Sequence, residues 1–184
     1  MANVLILYGT TEGQTARIAR RIAETLQSEG HGVVLQDSRN LPRDFSLAPF
    51  DAFIIGASVH YGGHQKYVRE LIKEKLDDLK DKPAAFFSVS GAAGSPHEKD
   101  QAGLKKLVNK FIEETHWQPT KTQTFGGAIL YTQYGFCKRL MMKMILRSAG
   151  GPTDTSCDHE LTDWNAVSRF AKAFAAEYLD PPPT

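Results

Sequence analysis

The fold is decided by the stretch from Val4 to Thr15, which reads VLILYGTTEGQT. Its first half is a continuous run of β-prone apolar residues, which is typical of a strand buried on both faces of a parallel sheet. Its second half is rich in threonine and glycine. It leads into a helical pattern over 13–29, with Ile18, Ile22 and Leu26 on one face and Gly30 at the end. The order of strand, loop and helix predicts the start of a doubly wound α/β unit.

The same alternation continues to the end of the chain. Further strands are predicted at 32–36, 51–57, 84–89 and 125–131, and further helices at 63–79, 100–117 and 162–179. We therefore expect one domain over 1–179, with a five-stranded parallel sheet of order 2-1-3-4-5, helices on both faces, and a frayed tail at 180–184. Ligands of such sheets bind beyond the carboxyl ends of the strands, so the loops after strands one, three and four are the informative segments.

Composition excludes several classes of protein. The chain has 184 residues with a net charge of +1, which disfavours a nucleic-acid-binding protein. Its two cysteines, Cys137 and Cys157, have neither disulfide-framework nor metal-site spacing and fit free thiols in a reducing compartment. His60 and His64 have no carboxylate beside them, so we expect no metal site. Neither a secretory signal nor a membrane-spanning segment is expected from the apolar runs.

The first loop, 9–15, is a candidate anion site. It joins a buried strand to a helix N-terminus, where unpaired N–H groups and the helix dipole favour a negative charge. The loop lacks the lysine and spacing of a Walker A motif and the spacing of a dinucleotide-binding motif. Threonine hydroxyls without a cation suit a phosphate monoester, although an ordinary capped helix start remains an alternative at this point.

The segment 8–15 resembles the FMN phosphate loop of the flavodoxin family. Three further segments, 55–62, 148–155 and 162–164, resemble the bacterial flavodoxin-like, quinone-dependent protoporphyrinogen oxidases. The resemblance implies that FMN is bound by residues of all three loops. The implied contacts are Thr10, Thr11, Glu12, Gly13, Gln14, Thr15, Ser58, Val59, His60, Tyr61, Gly62, Ser88, Val89, Ser90 and Gly91.

The implied roles differ among these residues. Backbone N–H groups and the hydroxyls of Thr10 and Thr15 would hold the phosphate, with the Glu12 carboxylate directed away from it. Tyr61 would stack on one face of the flavin ring, while the small residues of the third loop leave the other face open. The chemistry would take place at the flavin, so no protein nucleophile is needed. His60 and Tyr61 are catalytic candidates by position, with no general base assigned.

The implied reaction is the oxidation of protoporphyrinogen IX to protoporphyrin IX, with electrons passed to a membrane quinone. A phosphoacceptor receiver domain is excluded because its acidic residues are missing, and a hydrolase because the third loop lacks a nucleophile elbow. A flavodoxin-type electron carrier and an NAD(P)H:quinone reductase remain alternatives. Such carriers are typically acidic around the flavin, whereas this chain has no Asp or Glu between Thr115 and Thr153.

The segment 132–155 is predicted to be an insertion that contains a basic amphipathic helix at 135–148. Arg139, Lys143 and Arg147 recur every four residues and form one stripe of the helix. We expect them to face the acidic substrate, an anionic membrane or a partner that presents the quinone. We also expect the protein to lie peripherally on the cytoplasmic face of the cell membrane. A helix packed on the domain, with its basic stripe in solvent, is the alternative. The oligomeric state is left open.

Overall fold

The computed structural model describes residues 1–42, 44–60, 62–94, 97–148 and 150–180. Its strands are β1 (Asn3–Gly9), β2 (Gly32–Asp37), β3 (Ala52–His60), β4 (Gly63–His64), β5 (Ala84–Ser90), β6 (Lys121–Gly126), β7 (Ala128–Ile129) and β8 (His159–Glu160). Its α-helices are α1 (Gln14–Ser28), α2 (Lys66–Glu74), α3 (Leu76–Leu79), α4 (Glu98–Thr115), α5 (Phe136–Ser148) and α6 (Trp164–Phe174). Short 3₁₀ turns cover Ser38–Asn40, Gly91–Gly94 and Tyr131–Gln133, and a π-helical turn, Ala175–Leu179, follows α6.

The main sheet has the order β2-β1-β3-β5-β6, with each of these neighbours parallel. This order confirms the predicted winding, because β4 is a two-residue strand that pairs antiparallel with β3 outside the main path. The carboxyl ends of β1, β3 and β5 therefore meet at one edge of the sheet.

Both faces of the sheet are covered, as the apolar runs predict. Alternate side chains of the central strands, such as Ile6 and Phe87, pack with residues of α1 and α6 on one face. Their neighbours, such as Phe53 and Phe86, pack with residues of α2 and α4 on the other face. These four side chains are fully buried, so the edge that carries the loops stands on a close-packed base.

Three element boundaries differ from the sequence prediction. Strand β3 runs to His60 because Val59 and His60 pair with β4, so residues expected in a loop complete a hairpin. The helix predicted over 63–79 consequently begins at Lys66, and a break at Lys75 separates α2 from α3. Strand β6 lies at 121–126 instead of 125–131, because an edge strand in solvent does not need a continuous apolar run.

The insertion contains helix α5, close to its predicted bounds, and packs with the residues just before it into a small core that is separate from the two cores of the sheet. That core consists of Ile129, Tyr131, Tyr134 and Leu146. The two-residue strands β7 and β8 pair antiparallel beneath it and close the insertion at its base. Within the described ranges, no helix is long and apolar enough to cross a membrane.

Candidate functional site

A cleft of about 670 Å³ opens at the carboxyl edge of the sheet, between the three loops and helix α5. One side, which we call the loop wall, consists of Thr10, Glu12, Gln14, Thr15, Ser58, Val59, His60, Val89, Ser90, Gly91 and Ala92. The opposite side, the insertion wall, consists of Tyr134, Lys138, Met141, Met142, Ile145 and Leu146. Asp100, Gly127, Ala128, Ile129, Gly150, Gly151, Pro152 and Leu161 complete the lining. The size is ordinary for a cofactor or small-molecule site.

The first loop has the features of an anion site. Gly13, with φ of +88°, precedes α1 without a side-chain cap, so the first N–H groups of the helix are left for a ligand. The Oγ of Thr10 accepts a hydrogen bond from the Gly13 N–H at 2.9 Å and shapes the turn. The Oγ of Thr15 is buried without a hydrogen-bond partner, although its side chain lines the cleft. A buried hydroxyl without a hydrogen-bond partner costs free energy of folding. A phosphate bound at this loop would supply the missing acceptor.

The loop is supported from outside by residues that the sequence did not single out. The hydroxyl of Tyr67 accepts a hydrogen bond from the Thr10 N–H at 3.1 Å. The guanidinium of Arg39 donates to the Thr10 carbonyl at 3.2 Å and lies 5.1 Å from the centroid of the Tyr67 ring. Gln65 donates to the hydroxyls of Thr11 and Ser58, and so links the first loop to the end of β3. These contacts hold the loop in position.

Gln14 joins the start of α1 to the segment that follows β8. Its amide donates to Glu160 Oε1 at 2.8 Å and to Thr162 Oγ at 2.7 Å, and its Oε1 accepts from Arg17. Thr162 in turn donates to the carbonyl of Gly126. The Gln14 side chain is thus engaged within the protein, which leaves its backbone N–H as the group for a bound anion.

The two histidines near the cleft have different surroundings. His60 is half-buried in the loop wall, and burial lowers its pKa, with Glu12 opposing the shift and Lys138 adding to it. His64 is buried behind the cleft, where its ring makes edge contacts with Phe86 and Phe111. Burial, reinforced by the charge of nearby Arg69, lowers the pKa of His64 to about 4. Among the described residues, no group of three or more His, Cys, Asp or Glu side chains is placed to hold a metal ion.

A charged cluster connects the two walls across the cleft. The Glu12 carboxylate accepts a hydrogen bond from the Tyr134 hydroxyl at 3.0 Å. It also forms an ion pair with Lys138, whose Nζ lies 2.7 Å from Glu12 Oε1. The ammonium also lies 3.9 Å from the centroid of the Tyr134 ring. Burial and the Glu12 charge raise the pKa of Tyr134 to about 12, so its hydroxyl stays protonated and donates. The partners of Glu12 cannot be predicted from the local sequence, because they lie more than 120 residues away.

The three basic residues of the stripe on α5 have different surroundings. Arg139 donates to the carbonyls of Tyr131 at 2.9 Å and Tyr134 at 3.2 Å, so it fastens the start of the helix to the turn before it. Arg139 is therefore engaged with backbone carbonyls and does not line the cleft. Lys143 and Arg147 are exposed but do not line the cleft. Of the basic residues of this helix, Lys138 is the one that lines it.

The outward face of α5 is apolar and exposed. Phe136 is 80% exposed and Met144 66%, and Leu140, Met141 and Ile145 are each about half exposed. Together with Cys137 these side chains line a second depression of about 350 Å³, which we call the outer groove. Met141 and Ile145 line both the outer groove and the cleft. The helix is thus a wall with an apolar surface on each side.

The structure brings most of the predicted contact residues together. Thr10, Glu12, Gln14, Thr15, Ser58, Val59, His60, Val89, Ser90 and Gly91 line the cleft. Thr11 and Gly13 belong to the first loop, and Gly62 to the turn after β3, without lining it. Ser88 is buried and does not line the cleft, and its hydroxyl shares a 2.8 Å hydrogen bond with His64 Nε2. Tyr61, and with it the predicted stacking, lies outside the described residues.

The fold and the loop define the class of protein. The chain belongs to the flavodoxin domain family, whose profile matches residues 5–156. It is similar to protoporphyrinogen IX dehydrogenase (quinone) of Escherichia coli K12, with 34% identity over 93% of both chains. It is also similar to the enzyme of that name from Leishmania major, with 33% identity over 97% of this chain and 77% of the relative.

Solved structures with low identity share the fold. Oxidised flavodoxin 1 from Bacillus cereus matches with a TM-score of 0.59 and 15% identity, over 95% of this chain and 97% of that one. The flavodoxin of Streptococcus pneumoniae TIGR4 matches with a TM-score of 0.59 and 13% identity, over 96% of this chain and 99% of that one. The flavodoxin fold implies a flavin cofactor, and the first loop fits its phosphate.

Proposed function

We propose that this protein uses FMN to oxidise protoporphyrinogen IX to protoporphyrin IX and passes the electrons to a quinone. The observation that carries the proposal is the two-sided cleft, in which a loop that fits a phosphate faces an apolar wall built by the insertion. The similarity to the two protoporphyrinogen IX dehydrogenases, which extends over nearly the whole chain, supports the same activity.

The loop wall would hold the cofactor. The backbone N–H groups at the start of α1 and the Thr15 hydroxyl would bind the phosphate, while Thr10 keeps the turn in shape. Ser58, Val59 and His60 on one side and Val89, Ser90 and Gly91 on the other would flank the ring system. When bound, FMN supplies the two-electron redox chemistry.

The insertion wall would hold the substrate. A porphyrinogen is a large apolar ring with two carboxylate side chains, and Met141, Met142, Ile145 and Leu146 offer it an adaptable apolar surface. His60, whose pKa burial lowers, is neutral at pH 7 and would keep a proton-accepting nitrogen in the cleft. It remains a candidate for moving a substrate proton.

The proposal extends to where the protein works. The exposed apolar face of α5, with Lys143 and Arg147 at its edge, suits the interface of an anionic bilayer. Exposed free thiols at Cys137 and Cys157 fit a reducing compartment. We therefore propose a cytoplasmic protein that lies peripherally on the inner face of the cell membrane. Cell fractionation tests this location, and recovery in the soluble fraction at low salt would contradict it.

An anaerobic assay tests the reaction. Protein loaded with FMN is mixed with protoporphyrinogen IX and a water-soluble quinone, and porphyrin fluorescence is followed. We expect fluorescence to rise only when both the protein and the quinone are present. Rapid quinone reduction with NAD(P)H in place of the porphyrinogen would instead identify a reductase. Flavin reduction by a reductase partner, with no porphyrin formed, would identify an electron carrier.

A further inference from the structure

The insertion wall brings one strong cation into the cleft. Within the ranges that the structure describes, Lys138 is the one lysine or arginine that lines the cleft, and the carboxylates of Glu12 and Asp100 belong to the same lining. A ligand that carries two carboxylates therefore meets a single lysine or arginine in this lining. Attraction of such a ligand depends on Lys138.

Two contacts define where the ammonium of Lys138 lies. Its Nζ is 2.7 Å from Glu12 Oε1 and 3.9 Å from the centroid of the Tyr134 ring. An ammonium over an aromatic face is attracted by the ring. Both the Tyr134 ring and the Glu12 carboxylate therefore keep the cation at the cleft. The ammonium is held where a ligand bound between the two walls would reach it.

The ion pair between Glu12 and Lys138 can be exchanged at low cost. Water reaches both partners, since the Glu12 side chain is 21% exposed and that of Lys138 is 42% exposed, and solvated ion pairs are weak. If Lys138 turns to another carboxylate, Glu12 keeps the hydrogen bond from the Tyr134 hydroxyl at 3.0 Å. The exchange therefore leaves Glu12 with a hydrogen-bond partner.

We propose that Lys138 determines the specificity of this site for an acidic substrate. In the free protein Glu12 holds its ammonium, and on binding the ammonium pairs with one carboxylate of the porphyrinogen. This inference rests on the proposed function. It assigns to Lys138 the contact that the sequence analysis expected from Arg139, Lys143 and Arg147, because Arg139 binds backbone carbonyls and the other two lie outside the cleft.

The test compares a dicarboxylate with its neutral ester. FMN-loaded protein is titrated with protoporphyrin IX and with its dimethyl ester, and KM and kcat are measured for the two corresponding porphyrinogens. We expect Lys138→Met to weaken binding and raise KM for the dicarboxylate by about tenfold, the effect of one charge-assisted hydrogen bond, with little change for the ester. Lys138→Arg should restore most of the affinity.

Lys172→Met is the matched control. Lys172 is also an ion-paired lysine, with its Nζ 3.1 Å from Glu29 Oε1, and it lies on α6 away from the cleft. This variant should match the wild type with both ligands. Equal losses for the acid and the ester in Lys138→Met, or no loss for either, would overturn the inference.

Two further outcomes distinguish this inference from the proposed function. If the wild type produces porphyrin but Lys138→Met prefers the acid over the ester as strongly as the wild type does, the inference alone fails. If wild type binds the acid through Lys138 but produces no porphyrin, the proposed function fails and the preference for a dicarboxylate stands.

Discussion

The loop wall of the cleft stands on a sheet whose central side chains are fully buried, whereas the insertion wall stands on a core of four residues. Hydrophobic packing on both faces of the sheet fixes the loop wall. The insertion wall depends more on individual polar contacts, such as those of Arg139 and of Lys138 with Glu12. The comparison indicates that the proposed cofactor site and the proposed substrate site rest on regions of unequal stability.

The largest expected effect contrasts the two cores. Phe87 is fully buried in the sheet, and Phe87→Ala should lower the free energy of unfolding by roughly 3–5 kcal/mol. Leu146→Ala, in the insertion core, should loosen α5 and lower the global value by only about 1 kcal/mol, because its small core can relax. Urea unfolding and amide exchange of α5 check this. Equal losses would mean that the insertion unfolds together with the sheet.

Acid should lower the free energy of unfolding through His64, which is buried behind the loop wall. Burial lowers its pKa to about 4 in the folded protein, whereas an unperturbed histidine has a pKa of about 6.5, so the unfolded chain binds the proton more readily. Stability is therefore complete above pH 6.5 and falls by about 3 kcal/mol as the pH drops from 6.5 to 4. In His64→Gln this part of the pH dependence should be missing. Parallel stability curves for the two proteins would contradict the assignment.

The Thr15 hydroxyl allows a test of whether the loop wall binds the FMN phosphate. Thr15→Val keeps the shape of the side chain and removes a hydroxyl that has no partner, so stability without FMN should stay the same or rise slightly. The Kd for FMN should increase roughly 10- to 100-fold, the effect of a hydrogen bond to a charged group. Flavin fluorescence titration measures it.

Thr115→Val is the matched control for this prediction. Thr115 is fully buried too, but its hydroxyl donates to the carbonyl of Phe111 at 2.8 Å. The control should lose about 1 kcal/mol of stability with no change in FMN affinity. An unchanged Kd in Thr15→Val would show that the loop does not bind the phosphate through this residue.

The smallest expected effect concerns the outward side of the insertion wall. Lys143→Glu/Arg147→Glu should weaken sedimentation with anionic liposomes at low salt, because each interfacial cation contributes about 1 kcal/mol. Arg139 is left unchanged because it fastens the helix. Lys66→Glu/Lys110→Glu, which changes exposed lysines of α2 and α4 by the same net charge, should bind like wild type. Equal sedimentation of all three proteins would exclude a membrane role for this face.

The sequence predicts the loop wall better than the insertion wall for a physical reason. A strand buried on both faces must be apolar throughout, so β1, β3 and β5 are visible as continuous runs. Strand β6 has exposed residues such as Thr122 and Gln123, and its boundary was therefore predicted too late in the chain. The extension of β3 depends on a two-residue partner, β4, which has no recognisable pattern of its own.

In the insertion, the sequence predicts the helix and its period but not the surroundings of each side chain. The spacing of Arg139, Lys143 and Arg147 predicts a shared stripe, and α5 has it. Which side of a helix faces the protein depends on distant contacts, here the carbonyls of Tyr131 and Tyr134 and the carboxylate of Glu12. Those contacts cannot be derived from local spacing, so Lys138 was overlooked.

Met141 and Ile145 line both the cleft and the outer groove, which affects how an electron acceptor could approach the cleft. An apolar molecule in the outer groove is separated from the cleft by the thickness of one side chain, because the same two residues line both cavities. Methionine has several rotatable bonds and changes rotamer readily, so such a partition yields without unfolding of the helix. With the proposed membrane location, an acceptor in the bilayer would exchange electrons with the proposed flavin across this thin partition while its tail stays in the lipid.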